Sequence, residues 1–458
     1  MLSAYVNSVK IPELRQRILF TLGIIALVRI AANIPCPGID TAALEQLFQN
    51  MRETSGGGRG LLGIFDLFSG GALQRFAVAA LGIMPYITAS IVMQLLMPVI
   101  PALEKLRNEG ETGRQKINQY TRYLTLVVCV VHGTAAVKIM NNPGAVFRGV
   151  GQVNLILNPG PVFTISTVII LAAGTMLLVW LGEQITDRGI GNGITLIITV
   201  NIVSRLPSAF WGLVTLVRGG VEGGGNIINV LLLVVMFFVV CAGTVALTQG
   251  QRKIPIRHAR RMAGRQMTAG QTSYLPLRVN FSGVMPIIFG SAILTFPRMV
   301  LQWIPFTRNR GWVSWFTYGT NSYMIMFGVV IIVFSYFWVA TQFNPIQIAD
   351  NLQKQGGYIP GIRPGQPTAE FLDTTMTRIT FAGALFLTAI AVLPMIMANE
   401  FQIPFTVAAF FGGTSLLIMV GVLLDTLRQV EAYLLSHHYD GFLSKGRLRS
   451  RRGGGGVR

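Results

Sequence analysis

Apolar runs of about twenty residues alternate along this chain with short polar segments rich in Gly and Pro. The runs at 18–34, 72–97, 120–140, 162–182, 190–211, 226–248, 282–303, 320–342, 378–398 and 405–428 predict about ten helices. Each is near the length that crosses roughly 30 Å of hydrocarbon. One apolar run does not fit. Leu61 to Phe68 would rise only about 12 Å as a helix and cannot span. It is joined through Ser69, Gly70 and Gly71 to the second long run. A short apolar helix at membrane depth is tolerated only where protein or a water-filled cavity surrounds it, so the pattern implies a cavity. The following run, read as one helix from Ala72 to Met97, carries Ile83, Ile87 and Ile91 at i, i+4 spacing, which stacks them along one face. Such a stripe either meets lipid and neighbouring helices or lines the cavity.

Composition turns this pattern into a class. The chain has 458 residues, 52% hydrophobic and 12% charged, with a mean hydropathy of +0.56. Soluble proteins carry about a quarter charged residues, so this is an integral membrane protein. The net charge of +19 is spread through the segments between apolar runs, where Lys and Arg first report topology. Lys10, Arg15 and Arg17 precede the first span without a cleavage pattern after it, which excludes a secretory signal peptide. Further basic residues fall in the segments around Lys105 to Lys116, Arg252 to Arg265, Lys354 to Arg363 and Lys445 to Arg458, all on one side of a ten-span chain. The opposite loops hold Arg52, Arg59, Arg148, Arg218, Arg308 and Arg310. The bias places both termini in the cytoplasm. Arg29, inside the first span near its far end, reads as a side chain that snorkels to the interface.

The expected organisation is a cytoplasmic N-terminus at 1–17, an N-terminal half of five spans at 18–211, an outer loop and sixth span at 212–249, and a basic cytoplasmic loop at 250–280. Two spans at 281–342, a polar cytoplasmic loop at 343–377, two spans at 378–428 and a basic tail at 429–458 follow. Segment 250–280 contains no acidic residue and is a candidate dock for something acidic. Loop 343–377 is longer than connection requires, which points to a role. An odd number of spans in each half would make the halves inverted repeats with a pathway between them.

Enzyme chemistry finds no footing. Cys36, Cys129 and Cys241 are scattered without CxxC spacing, and His132, His258, His437 and His438 lack metal-ligand patterns. No Lys is followed by Ser or Thr, so there is no Walker A loop, and no cofactor is expected. A secondary transporter is the runner-up, but the spans offer only Glu183, Asp187 and Asp425 as carboxylates, all near helix ends.

Over nearly its whole length the chain resembles the SecY family, the channel subunits of the bacterial protein translocon. The likeness is carried, in order, by IPCPGID, FSGGAL, ALGIMPYITASI, QYTRYLT, WLGEQITDRGIGNGI, LPLRVNFSGVMPIIF, ADNLQKQGGYIPGIRPGQPTA and FGGTSLLI. It implies an all-α polytopic membrane protein, two inverted five-helix halves around a central pore that opens across the membrane and sideways into lipid. It implies a passive channel for secretory and membrane polypeptides, in the bacterial cytoplasmic membrane.

The same likeness assigns roles. Residues 61–71 become the plug, with Leu61, Leu62, Ile64, Phe65, Leu67 and Phe68 as its body and Gly70 and Gly71 as its hinge. Ile83, Ile87, Ile194, Ile198, Ile288 and Ile418 become the constriction, although QIPFTVAAFFGGTS before Ile418 departs from the family pattern. A ring of branched apolar side chains resists wetting yet offers no specific hydrogen bonds to a passing chain. Gln94 and Thr121 fall at the lateral gate, opposite the spans that start near Val284 and Tyr323. Arg261, Arg265 and Arg363 match positions that dock the SecA motor or the ribosome, while Gln266 replaces a second basic residue. The implied partners are the small membrane subunits SecE and SecG, the SecA ATPase, the ribosome, signal-sequence-bearing polypeptides and the phospholipid bilayer, with SecDF and YidC beyond them.

Overall fold

The computed structural model describes residues 11–53, 69–141, 155–217, 227–258, 262–263, 266–267, 272–291, 293–294, 315, 320–400 and 413–445. Helix α1 (Pro12–Ala31) starts with Pro at its first position, where a missing N–H costs nothing, and buries Leu14, Thr21, Ile24, Val28 and Ala31 along one face. Helix α2 (Thr41–Glu53) is held at its start by Asp40, whose carboxylate accepts from the backbone N–H of Ala42 and Ala43 at 2.9 and 3.2 Å. Between α2 and the next helix the chain does not follow the expectation of one continuous helix from Ala72. Residues 70–83 are a succession of turns, and α3 covers only Met84–Leu96. The reason lies in the backbone: Gly70, Gly71, Phe76 and Gly82 all have positive φ, which a right-handed helix cannot contain. The segment is pinned instead to the chain after α1. Cys36 N–H donates to the Phe76 carbonyl at 3.0 Å, and Val78 N–H donates to that of Ile34 at 2.9 Å.

Helix α4 (Pro101–Asn108) follows α3 with its axis turned by 102°. Long helices α5 (Glu111–Asn141) and α6 (Pro161–Arg188) pack on α3 and on each other, and α6 also packs on α1. The expected span 190–211 is broken into α7 (Gly193–Val203) and α8 (Leu206–Val217). The Asn192 side chain caps α7 by accepting from Ile194 and Thr195 N–H at 3.1 and 3.3 Å. Pro207, which has no N–H to give, explains why the break falls just before it.

The second half contains α9 (Ile227–Gln249), a helix over 285–294, α10 (Asn321–Gln342), α11 (Pro345–Lys354), α12 (Gln366–Glu400) and α13 (Gly413–Lys445). Six helical stretches of the described residues are long and apolar enough to cross a membrane, or seven if the bent α3–α4 pair counts as one. The expected spans 282–303 and 405–428 lie partly outside the described residues. Exposed apolar side chains such as Val162, Ile169, Phe238, Ile325 and Leu385 cover the outward faces of these helices, as a lipid solvent requires.

A small sheet, unforeseen in the sequence, builds the segments between α9 and α12. Strand β1 (Gln251–His258) pairs antiparallel with β4 (Thr272–Arg278) and, at its end, with β5 (Gly357–Tyr358); the two-residue strands β2 (Met262–Ala263) and β3 (Gln266–Met267) pair with each other. One face of the larger sheet buries Ile254 and Leu277 with Val339, Phe343, Ile359, Leu372 and Met376. The long polar segment 343–377 is therefore a folded unit, with α11, β5 and the start of α12 inside it.

Candidate functional site

Four separate stretches deliver isoleucines to one place. Ile83 caps α3 and Ile87 lies one turn into it, Ile198 sits on α7, Ile288 in the helix 285–294 and Ile418 on α13. All five are buried in a single apolar cluster, with Ile91 beside them and the half-buried Ile194 packed against it. Ile83, although it precedes the helix proper, is only 2% exposed, so its burial with Ile87 and Ile91 survives the correction to the helix boundary. α3 and α7 come from the first half of the chain, the other two stretches from the second. The cluster is thus where the halves meet.

On one side of this cluster lie Ser69, Gly70 and Gly71, the two glycines being those expected to act as a hinge. The Gly70 carbonyl accepts from Arg29 Nη1 at 3.2 Å and stands 3.4 Å from Ser204 Oγ, a hydroxyl that also donates to the Asn201 carbonyl at 2.7 Å. Arg29 therefore does not simply snorkel outward; its guanidinium reaches the backbone of Gly70. Arg205 Nη1 donates to Gln74 Oε1 at 3.4 Å, and Arg75 donates to the Asn33 side chain. A Cβ on Gly70 would stand 2.7 Å from Arg29 Nη1 and 3.0 Å from the Asn201 Cα, while one on Gly71 would meet the Arg205 guanidinium at 3.1 Å. The glycines are required both by positive φ and by this close fit. The residues expected to form the plug body, Leu61, Leu62, Ile64, Phe65, Leu67 and Phe68, lie outside the described residues.

The two polar residues expected at the lateral gate make only local bonds. Thr121 Oγ1 donates to the Ile117 carbonyl one turn back at 2.9 Å, and Gln94 Nε2 donates to Ser90 Oγ at 3.4 Å. Gln94 Oε1 is buried and accepts no hydrogen bond among the described residues. A different residue crosses between the halves. Arg107 Nη2, on α4, donates to the Thr341 carbonyl at the end of α10 at 3.1 Å. Sequence alone could not find it, because Arg107 reads as one more positive charge in a basic loop. Behind this seam, within the second half, Phe289 packs against Phe334 and Trp338 of α10, with ring centroids 5.7 and 5.4 Å apart.

Arg363 is exposed on a tight turn whose geometry is fixed from below: its carbonyl accepts from Thr368 Oγ1 at 2.8 Å, and Gly361 and Gly365 supply the positive φ values. The turn follows β5 closely and so stands beside the sheet. The outward face of that sheet carries Lys253, Arg257 and Arg278 together with the exposed Tyr274 and Tyr358, Arg257 lying directly opposite Tyr358 in the register. Arg261 and Arg265 lie outside the described residues.

The carboxylates a transporter would need are committed elsewhere or open to solvent. Glu183 takes both arms of Arg122, Nε at 3.0 Å and Nη2 at 2.6 Å, a bidentate fork joining α5 to α6. Asp187 is exposed, and Asp425 accepts from the Gln429 amide at 3.5 Å.

Comparison with known proteins gives one answer. The sequence profile of the SecY family matches residues 77–427. The chain is 42% identical to the protein translocase subunit SecY of Streptomyces scabiei over 454 residues, covering 97% of this chain and 100% of that one. It is 40% identical to the subunit of the same name from Thermotoga maritima, covering 99% of this chain and 100% of that one. Its fold is similar to that of a solved protein-conducting channel, with a TM-score of 0.60 at 18% identity over 92% of both chains. It is also similar to Sec61 in the canine ribosome-channel complex, with a TM-score of 0.59 at 17% identity over 92% of both chains. A third likeness, with a TM-score of 0.59 at 19% identity and 92% coverage of both, is to a SecY structure whose plug domain stabilises the closed state of the translocation channel.

Proposed function

Because this chain belongs to the SecY family and is a protein-conducting channel of the translocon rather than an enzyme, we propose that its constriction is the isoleucine cluster formed by Ile83, Ile87, Ile194, Ile198, Ile288 and Ile418. The convergence of these residues from both halves of the chain carries the reading. A seal made only of branched hydrocarbon excludes water and ions when closed, and it parts for an unfolded polypeptide without binding any particular sequence. Residues 61–71 are the plug, turning on Gly70 and Gly71. The seam between α3 and α5 on one side and the helix 285–294 and α10 on the other is the lateral gate. An apolar signal helix leaves through it by hydrophobic transfer into lipid.

The channel is passive, and its driving force comes from partners on the face that carries the sheet. Ribosomes and other translocon components belong to the family's work; SecA, SecE and SecG are the specific partners we assign here. Arg363 on its braced turn and the cationic, tyrosine-bearing sheet face form a surface of the kind that meets acidic protein or ribosomal RNA, and Arg261 and Arg265 are assigned to the same docking role. The membrane is the bacterial cytoplasmic membrane, with both chain termini in the cytoplasm, as the charge bias of the loops supports.

The deciding experiment is crosslinking from a single Cys at Ile83, in a background with Cys36, Cys129 and Cys241 replaced, to a stalled secretory chain. A crosslink with the stalled chain and none with a cytosolic control is expected. No crosslink from position 83, 87 or 198 would make the isoleucine cluster mere packing.

A further inference from the structure

The hinge of the plug is gripped from two sides, and one of the grips is attached to the constriction. On the α1 side Arg29 donates to the Gly70 carbonyl. On the other side, the last turn of α7 and the two residues after it close on the same segment: Ser204 Oγ stands 3.4 Å from the Gly70 carbonyl, Arg205 donates to Gln74, and Asn201, in the helix's last turn, leaves no room for a side chain at position 70. Helix α7 is the helix that carries Ile194 and Ile198 into the central cluster. It is short and rigid, with eleven residues and an Asn192 cap, so its two ends move together.

We propose that Arg29 and Arg205 are positioning residues that form a latch on the plug hinge, and that α7 links this latch to the isoleucine ring. When a polypeptide spreads the ring, α7 is pushed aside and carries Ser204 and Arg205 away from Gly70 and Gln74. Arg29 alone then holds the hinge, and the plug leaves. Ring dilation and plug release become one motion instead of two. The strength of the grip suits a latch. A guanidinium on a neutral carbonyl at 3.2 Å and one on an amide oxygen at 3.4 Å are firm enough to hold a resting seal and weak enough to be broken by an entering chain. This inference rests on the assignment of residues 61–71 as the plug.

The test is the resting ion conductance of the full translocon in planar bilayers, for Arg29→Met, Arg205→Met and Arg29→Lys, each alone and in a chain lacking residues 61–68. Loss of one such hydrogen bond is worth about a fivefold shift between held and released plug. Arg29→Met and Arg205→Met are therefore expected to raise resting conductance about fivefold, Arg29→Lys by less because an ammonium keeps a donor. In the plug-deleted chain the same substitutions are expected to change nothing, since the latch then has nothing to hold. If plug deletion raises conductance but the Met variants do not, the latch is wrong and the plug stands. If plug deletion itself is silent, the plug assignment fails first. Equal rises with and without the plug would place the effect in the ring and overturn the latch. Combining Arg205→Met with Ile198→Ser is expected to fall short of the product of the single effects; a simple product means that ring and hinge open independently and overturns the coupling.

Discussion

Arg107 donates to the backbone carbonyl of Thr341 at 3.1 Å, which ties the helix after α3 to the last turn of α10 across the seam between the two halves. The carbonyls of a helix's final turn have no partner within the helix and carry partial negative charge, so a guanidinium there satisfies an orphan acceptor and complements the helix dipole. The bond is exposed and modest, and it spans the mouth of the proposed gate. Arg107→Ala is expected to shift the gate toward open by about two- to fivefold. A cysteine pair across the seam between α3 and the helix 285–294 should then form its disulfide more slowly. Unchanged crosslinking would leave Arg107 as a surface charge.

The constriction predicts its own failure. Replacing both Ile83 and Ile87 by Ser puts hydroxyls where the cluster has only hydrocarbon and lowers the cost of wetting it. Ion leak through the resting channel is expected to rise severalfold, with folding retained because both residues sit at the start of α3 and not across it. Wild-type conductance in the double variant would mean the seal lies elsewhere.

What could be read from the sequence, and what could not, divides along physical lines. The stacking of the isoleucines Ile83, Ile87 and Ile91 was legible from their i, i+4 spacing, which by itself left the stripe facing either lipid and neighbouring helices or a cavity. Their convergence came from the family resemblance. The conformation of residues 72–83 was not legible: only Gln74 and Arg75 interrupt the apolar run, too few polar positions to reveal a period, so length argued for helix. Only Phe76 and Gly82 at positive φ disclose the turns. The sheet was hidden by Pro255 and Pro276, which argue against strands. Pro276 lies on β4, which pairs on one side only, and Pro255 lies where β1 has β4 alone as its neighbour, because β5 reaches only Arg257 and His258. Neither proline interrupts a ladder on both sides. The Arg29 and Arg107 bonds were invisible because each joins residues far apart in sequence through a backbone carbonyl, which no residue pattern marks.

Arg363 offers a cleaner surgical change than most docking residues. Its turn is held by its own carbonyl and by Thr368, Gly361 and Gly365, so the guanidinium is not part of the brace. Arg363→Glu is expected to leave the amount of channel in the membrane unchanged while cutting motor-driven secretion by about tenfold, because a reversed charge faces an acidic partner. Secretion at the normal rate with equal channel abundance would remove Arg363 from the docking surface.

Cys36 sits in the loop after α1, where burial pushes its thiol up to about 11. Only the thiolate reacts, and it forms as pH rises toward that value. Alkylation of Cys36 in the folded channel is expected to be slow at pH 8 and to quicken by about tenfold per pH unit, without levelling off by pH 10. An ordinary exposed thiol would level off near pH 9. Early saturation in the native protein would show that the loop, pinned through the Cys36 to Phe76 hydrogen bond, opens to solvent.

Gly174 tests the packing that supports all of this. On α6, a Cβ at this position would stand 2.0 Å from the carbonyl oxygen of Val78 and 2.8 Å from its carbonyl carbon. Those are backbone atoms in the segment of turns that leads from the hinge into α3, and the Val78 N–H is itself bonded to Ile34. No side chain can swing away to make room; α6 or the turn segment must shift. Gly174→Ala is therefore expected to destabilise the channel by about 1–3 kcal/mol, seen as a lower thermal midpoint in detergent. Because the displaced segment runs between the proposed plug hinge and Ile83, the substitution is also expected to raise resting conductance. A stable, tightly sealed Gly174→Ala channel would mean that the turn segment is free to move without disturbing either the hinge or the ring.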